Sequence, residues 1–168
     1  MREVATLTPV TWHAENQRHL MAALAKVRAA LERHLGPNAP EPEPGVEEVA
    51  WSLPEPAALT TICEAFALSP FERDLLLLCA GIELDATFAA LCAAQGLPGQ
   101  PAPTFGLALA ALPGAHWSAI TPAAPLRRWQ LLELFPGPSL VSSPLRIDER
   151  VLHHLAGTPY LDERLVPY

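Results

Sequence analysis

Four arginines in the C-terminal third could hold an anionic partner. Arg127 and Arg128 are neighbours in a predicted helix, and Arg146 and Arg150 lie beyond a predicted hairpin turn. A guanidinium group offers parallel N–H donors to the oxygens of a phosphate or a carboxylate. We therefore take Arg127, Arg128, Arg146 and Arg150 as the candidate interaction surface.

The charge balance indicates which partners these arginines contact. The net charge is −7, and all of it comes from residues 1–100, whereas residues 101–168 hold five basic and five acidic side chains. An acidic chain repels the phosphate backbone that supplies most nonspecific affinity for nucleic acids. In a locally neutral region, we expect Arg127 and Arg128 to pair with Glu133, Asp148 or Glu149 rather than with DNA.

Residues that could support catalysis do not occur in catalytic patterns. Lys26, the only lysine, lies between Ala25 and Val27 in a predicted helix, whereas a Walker A loop places lysine before Ser or Thr after a glycine-rich turn. The serines form no Gly-x-Ser-x-Gly elbow, and the sequence has no His-Glu-x-x-His run. The sequence therefore predicts no enzymatic activity and no cofactor in this chain.

The histidines suggest neither a metal site nor a general base. His153 and His154 are adjacent, so on a helix their side chains point about 100° apart and cannot face one metal together. We assign them a surface or packing role. His116, beside Trp117, has no carboxylate near it in sequence and is interpreted as a packing residue.

The three cysteines are predicted to be free. Cys63, Cys79 and Cys92 lie in helical contexts rich in alanine and leucine, and no Cys-x-x-Cys pair is present to begin a zinc site. A free thiol in such a context behaves as a small apolar side chain. We expect no metal and no disulfide.

Residues 1–100 are predicted to form a helical domain. A long helix covers residues 12–35, with an apolar stripe at Leu20, Leu24, Val27, Leu31 and Leu35. An acidic, proline-rich linker follows at 36–56, and three helices occupy 57–95. Ser69, Pro70 and Glu72 form a capping-box start for the central one, which is apolar all round.

Residues 101–168 follow the order of a winged helix. Helices are predicted over 104–112, 115–120 and 121–130, then strands over 131–135 and 140–147, and a last helix over 149–156 capped by Asp148. Trp129, where helix meets strand, is predicted to be a core residue. The fold class is mainly α: an N-terminal helical bundle followed by a winged-helix domain with a small β-hairpin wing.

The location expected for this chain is the cytoplasm. The longest apolar run, residues 75–82, is far shorter than the roughly 18 to 20 residues that cross a bilayer, and no secretory signal pattern is visible. We therefore predict no membrane association.

Several runs resemble a known family. Residues 113–122, 125–129, 144–157 and 160–165 are similar to the winged-helix segment of bacterial AAA+ ATPases that are often encoded with extracellular contractile injection systems, the phage-tail-like particles. Residues 68–81 resemble the helical region that precedes this segment in the same family. The likeness covers most of residues 57–168.

The resemblance implies a non-catalytic N-terminal interaction or adaptor region that binds a protein partner or positions the motor. ATP and Mg²⁺ would belong to an ATPase module outside this sequence, because residues 1–168 hold no Walker A, Walker B or arginine-finger motif. A hexamer is the assembly it implies for the whole protein. The alternative is a winged-helix transcriptional regulator that binds DNA, which the missing basic stripe disfavours.

Overall fold

The described part of the chain begins with four helices. The structure is a computed structural model that describes residues 9–36, 56–95 and 101–158. The helices are α1 (Pro9–Leu35), α2 (Ala58–Ala65), α3 (Pro70–Leu84) and α4 (Ala86–Gln95). Most of the predicted linker, residues 96–100 before the predicted domain boundary and the run 160–165 lie outside the described residues, so those predictions stay predictions.

The apolar stripe of α1 forms its buried face. Leu20, Leu24, Val27 and Leu31 are at most 2% exposed and pack toward α3 and α4. Their spacing of four, three and four residues keeps them on one side of the helix. Leu35, at the last turn, is exposed and lies beyond this buried face, contrary to the prediction.

Helix α3 begins with the predicted capping box and is the central buried helix. The Ser69 hydroxyl accepts a hydrogen bond from the Glu72 N–H, and the Glu72 carboxylate accepts one from the Ser69 N–H over 2.7 Å. Two orphan donors of the first turn are thereby satisfied. The run from Leu75 to Ala80 is buried throughout, as its apolar composition predicts.

The C-terminal part has the predicted order of elements. Helix α5 (Phe105–Ala111) precedes a 3₁₀ helix (Trp117–Ile120) and α6 (Pro125–Arg128). Strands β1 (Leu132–Leu134) and β2 (Leu145–Ile147) pair antiparallel, and α7 (Glu149–Leu155) follows. Mainly helical architecture with a two-stranded hairpin therefore confirms the predicted fold class.

Helix α6 is shorter than predicted because two prolines restrict the residues before them. Thr121 and Ala124 precede Pro122 and Pro125, and both have extended backbones, with ψ of 151° and 148°. Steric clash with the proline ring disfavours the helical conformation at the residue that precedes it. The predicted helix over 121–130 is therefore reduced to four residues, Pro125–Arg128.

The strands are also shorter than predicted. Between them, the side chains of Ser139, Ser142 and Ser143 form local hydrogen bonds that hold a compact loop in place of a longer strand. Such side-chain bonds compete with ladder pairing. Pro144, which lacks an N–H, pairs instead as a single bridge with Thr104.

The hairpin is fixed to the start of α5. The Leu145 N–H donates to the Pro103 carbonyl and the Gly106 N–H donates to the Val141 carbonyl, each over 2.9 Å. Leu145 and Ile147 point into the core, whereas Val141 lies outside β2 and is only half-buried. These bonds set the orientation of the hairpin relative to the helices.

Buried side chains on both sides of the predicted boundary belong to one hydrophobic core. It includes Leu24, Phe71, Phe105, Leu126 and Ile147. The division into 1–100 and 101–168 remains a prediction. Among the described residues, no single helix is long and apolar enough to cross a membrane, and α3 with α4 reaches that length and composition only as a pair bent by 113°.

Candidate interaction surface

Arg127 is directed toward the protein rather than outward. Its guanidinium donates from Nη1 to the carbonyl oxygen of Ile120 over 2.9 Å, and its side chain is half-buried. Ile120 is the last residue of the 3₁₀ helix, so this bond ties that helix to α6. Arg127 therefore has a structural partner at a position where a DNA-reading residue would need to be free.

Arg128 is exposed and lies over an aromatic ring. Its Cζ is 5.3 Å from the ring centroid of Trp129, within the range of a cation–π interaction. The predicted partners Glu133, Asp148 and Glu149 are not used: no ion pair among the described residues joins Arg127 or Arg128 to any of them. That prediction is wrong for both arginines.

Trp129 is not a core residue, contrary to the prediction. Its side chain is 55% exposed, and its ring centroid lies 5.9 Å from that of Phe66. The reason is the early end of α6, which makes Trp129 the C-cap residue, followed by Gln130 with a positive φ of 54°. Leu126 and Leu131 enter the core instead.

Phe66 and Trp129 occupy equivalent positions at the ends of their helices. Phe66 is the C-cap residue of α2, and Ala67 after it has a φ of 51°. In both places the N–H of the second residue after the C-cap donates a hydrogen bond to a carbonyl oxygen five residues earlier. These bonds run from Leu68 to Cys63 and from Leu131 to Leu126. These Schellman motifs fix the backbone beneath the two rings.

Arg146 and Arg150 have acidic neighbours. Arg146 lies on the exposed side of β2 directly opposite Glu133 of β1, where facing side chains of opposite charge interact favourably. Arg150 pairs with the Asp148 carboxylate, with its Nε 3.3 Å from Oδ1. Of the four candidate arginines, only Arg128 is both exposed and without a carboxylate opposite or beside it among the described residues.

The loop between the strands carries no charge. Residues 135–145 contain no Lys, Arg, Asp or Glu. Phe135 is 40% and Leu140 is 38% exposed, so the uncharged hairpin loop presents two large apolar side chains at its surface. The chain passes closely over itself here: a Cβ at Gly137 would lie 2.7 Å from the Cα of Ser143, so only glycine fits.

His116 packs as predicted but also makes hydrogen bonds that the sequence did not reveal. Its ring lies edge-on to Phe71 at 5.3 Å. Its Nε2 is 2.9 Å from the Ser69 hydroxyl and its Nδ1 is 2.7 Å from the Ser118 hydroxyl. These bonds connect the start of the 3₁₀ helix to the start of α3, over 47 residues, a pairing that no local sequence signal indicates.

All three cysteines are free thiols, as predicted; Cys79 and Cys92 are buried, and Cys63 is half-buried. Burial raises the pKa of the Cys92 thiol to about 11, and it also raises the pKa values of Cys79 and Cys63. The thiolate, which is the nucleophile and metal ligand, is therefore disfavoured at neutral pH. In the described ranges, no group of three or more His, Cys, Asp or Glu side chains could hold a metal ion.

Comparison with protein families gives one result. A family model described as "Winged helix domain, variant" matches residues 8–168. Comparisons with curated proteins and with solved structures gave no match.

Proposed function

Because the chain belongs to the winged helix domain family, in its variant form, we propose that it is a non-catalytic adaptor that binds a protein partner through its winged-helix part. The family is compatible with either DNA-binding or adaptor roles. What distinguishes these roles is the surface that a winged helix would present to a duplex, and the features of that surface in this chain support protein binding.

The length of α6 is the observation that carries the proposal. A helix that reads DNA lies in the major groove and offers several side chains to successive base edges. Helix α6 has four residues, so it is about 6 Å long and makes about one turn. One of its two arginines, Arg127, is bonded to the Ile120 carbonyl. Little remains to reach bases or phosphates.

The charge of the hairpin supports the same proposal. Proteins that bind duplexes neutralise several phosphates with Lys or Arg. The loop over 135–145 has no basic residue, and Arg146 and Arg150 lie beside Glu133 and Asp148. Four large apolar side chains of this part are exposed as well: Trp117, Trp129, Phe135 and Leu140 are between 38% and 57% exposed. Aromatic residues of this kind are enriched at protein interfaces.

A winged-helix regulator that binds DNA is the second candidate. The observation in its favour is the exposed Arg128 at the end of α6, next to the edge where a duplex would approach. A single unpaired arginine, on a chain with a net charge of −7, supplies little of the phosphate neutralisation that this role needs.

The finer proposal concerns the protein to which this region belongs. The resemblance of residues 68–81 and of the runs 113–122, 125–129, 144–157 and 160–165 supports an N-terminal region of an AAA+ ATPase associated with a contractile injection system. In that setting ATP and Mg²⁺ bind to the ATPase module, a hexamer is the expected assembly, and the cytoplasm is the expected location. This region would position the motor or bind its protein target.

The test compares the whole protein with its separate parts. A Gly-x-x-x-x-Gly-Lys-Ser/Thr motif should follow this region in the reading frame. ATP turnover should persist when residues 1–168 are removed, while capture of the partner is lost. The absence of such a motif would contradict the AAA+ proposal, and calorimetry that detects micromolar ATP binding by residues 1–168 alone would contradict a non-catalytic role.

A further inference from the structure

A surface patch at the ends of α2 and α6 has the composition of a binding hot spot. It consists of the exposed Arg128 and Trp129 and the half-buried Phe66, and we call it the C-cap patch. The Trp129 ring contacts Phe66 at a centroid distance of 5.9 Å, and the Arg128 guanidinium lies 5.3 Å from the Trp129 centroid. Tryptophan and arginine are the residue types most enriched among side chains that dominate binding energy.

The patch is held ready by the backbone. Phe66 and Trp129 are the C-cap residues of their helices, and the residues after them, Ala67 and Gln130, both adopt the left-handed conformation. The following residues, Leu68 and Leu131, pack against or within the core. The two rings are therefore attached to a fixed main chain, so little conformational entropy is lost when a partner binds to them.

Arg128 supplies the chemical selectivity of the patch. Among the described residues it makes no ion pair and no side-chain hydrogen bond, in contrast to Arg127 and Arg150. Its guanidinium lies over the Trp129 ring, and no carboxylate or carbonyl oxygen among the described residues accepts its N–H groups. Those donors match a carboxylate, whereas a cationic side chain placed against Arg128 would be repelled at short range.

We propose that the C-cap patch docks an acidic segment of a protein partner. An apolar residue of that segment packs on Trp129 and Phe66, and an Asp or Glu beside it pairs with Arg128. This proposal rests on the proposed adaptor function and specifies its partner. A single-stranded nucleic acid could also stack on Trp129, but it requires a positively charged groove, whereas the chain has a net charge of −7.

The net negative charge also determines how the affinity should depend on ionic strength. At long range it opposes an acidic partner, so affinity must come from the short-range contacts at Trp129 and Arg128. Salt screens both the repulsion and the single ion pair. The affinity of an acidic peptide should therefore change little with ionic strength, whereas binding to a nucleic acid falls steeply with salt.

The test uses short random peptides displayed on phage and selected on the immobilised full chain. Peptides that are net acidic and contain an aliphatic or aromatic residue should be enriched. Their affinity should fall at least about tenfold with Trp129→Ala, the loss expected for a hot-spot side chain. Met21→Ala, which removes an apolar side chain that is 49% exposed on α1, is the matched control and should leave the affinity unchanged.

A charge reversal tests the pairing itself. Arg128→Glu should abolish binding of the selected acidic peptide, and a version of that peptide with Lys in place of its acidic residues should bind the Arg128→Glu protein. Enriched peptides that are basic or neutral, no enrichment over immobilised Trp129→Ala protein, or steep salt-dependent binding of labelled single-stranded DNA would each overturn the proposal. If selected peptides bind equally to Trp129→Ala protein, the C-cap patch is excluded while an adaptor role through the hairpin survives.

Discussion

Asn16 of α1 donates a hydrogen bond from Nδ2 to the carbonyl oxygen of Leu155 in α7 over 3.0 Å, although 139 residues separate them in the chain. The Oδ1 of the same amide accepts the Ala58 N–H over 2.8 Å at the start of α2. Asn16 is 1% exposed. One buried side chain thus provides hydrogen-bond partners for an N–H of α2 and a carbonyl of α7 that have none within their own helices.

Asn16→Ala should destabilise the fold by about 2 to 4 kcal/mol, because it leaves a buried N–H and a buried carbonyl without partners. Chemical denaturation monitored by circular dichroism measures this change. The control is Arg18→Ala, which removes only an exposed ion pair with Glu15 on the same helix. It should cost well below about 1 kcal/mol. Equal unfolding midpoints for both variants would contradict the structural role of Asn16.

Gly81→Ala should destabilise α3 by overpacking. A Cβ at this position would lie 2.5 Å from the ring of Phe88, which is completely buried in α4. Forcing an extra methyl group into a packed core costs about 1 to 3 kcal/mol. Gly36→Ala is the matched control, since nothing lies within 4 Å of its Cβ position. A melting temperature for Gly81→Ala as high as that of Gly36→Ala would mean that α3 and α4 pack differently.

Gln130→Gly should stabilise the protein by up to about 1 kcal/mol, because a left-handed backbone is costly for residues with a Cβ and not for glycine. Gln130 has a φ of 54° and an exposed side chain. Thermal unfolding measures the gain. Gln130→Ala, which keeps the Cβ, should give no stabilisation, and a loss of stability with glycine would argue against the Schellman motif at the end of α6.

The contribution of Asp85 should depend on pH. Hydrogen bonds from the Thr87 hydroxyl and N–H, with a smaller effect of Arg28, lower the pKa of Asp85 from its ordinary value of 3.8. A lowered pKa in the folded state means that the stabilisation is complete above the ordinary pKa and is lost as the pH falls through the lowered one. The melting temperature of Asp85→Ala should therefore lie below that of the unmodified protein at neutral pH.

In acid, the difference in melting temperature between the unmodified protein and Asp85→Ala should become smaller, starting at about pH 4. Glu83→Ala, at an exposed position near the end of α3, is the control and should show no comparable change. A difference between the unmodified protein and Asp85→Ala that stays constant down to about pH 2 would show that the carboxylate charge does not contribute.

Local signals in the sequence predict much of the fold. The caps at Ser69 and Asp148 were predicted correctly, because each depends on a side chain and a backbone N–H within three residues. The buried stripe of α1 follows from periodicity alone. The order of helices and hairpin, and with it the winged-helix class, follows from these signals together.

Tertiary relationships were not predictable in the same way. Whether Trp129 is buried depends on where α6 ends, and that end is fixed by the Schellman bond from Leu131 to Leu126 rather than by composition. The contact of Trp129 with Phe66 joins two helices distant in sequence. The bond of His116 to Ser69 is likewise long-range, so spacing along the chain could not reveal it.

Fluorescence anisotropy with labelled duplex DNA tests the central claim, that this winged helix binds protein and not DNA. The arginine variant is Arg128→Glu/Arg146→Glu, which spares the bond of Arg127 to Ile120. We expect duplex affinity no better than the ~10⁻⁴ to 10⁻⁶ M of nonspecific binders at physiological salt, with little change in the variant. Tight, salt-dependent binding that the variant abolishes would contradict the account and favour the DNA-binding regulator.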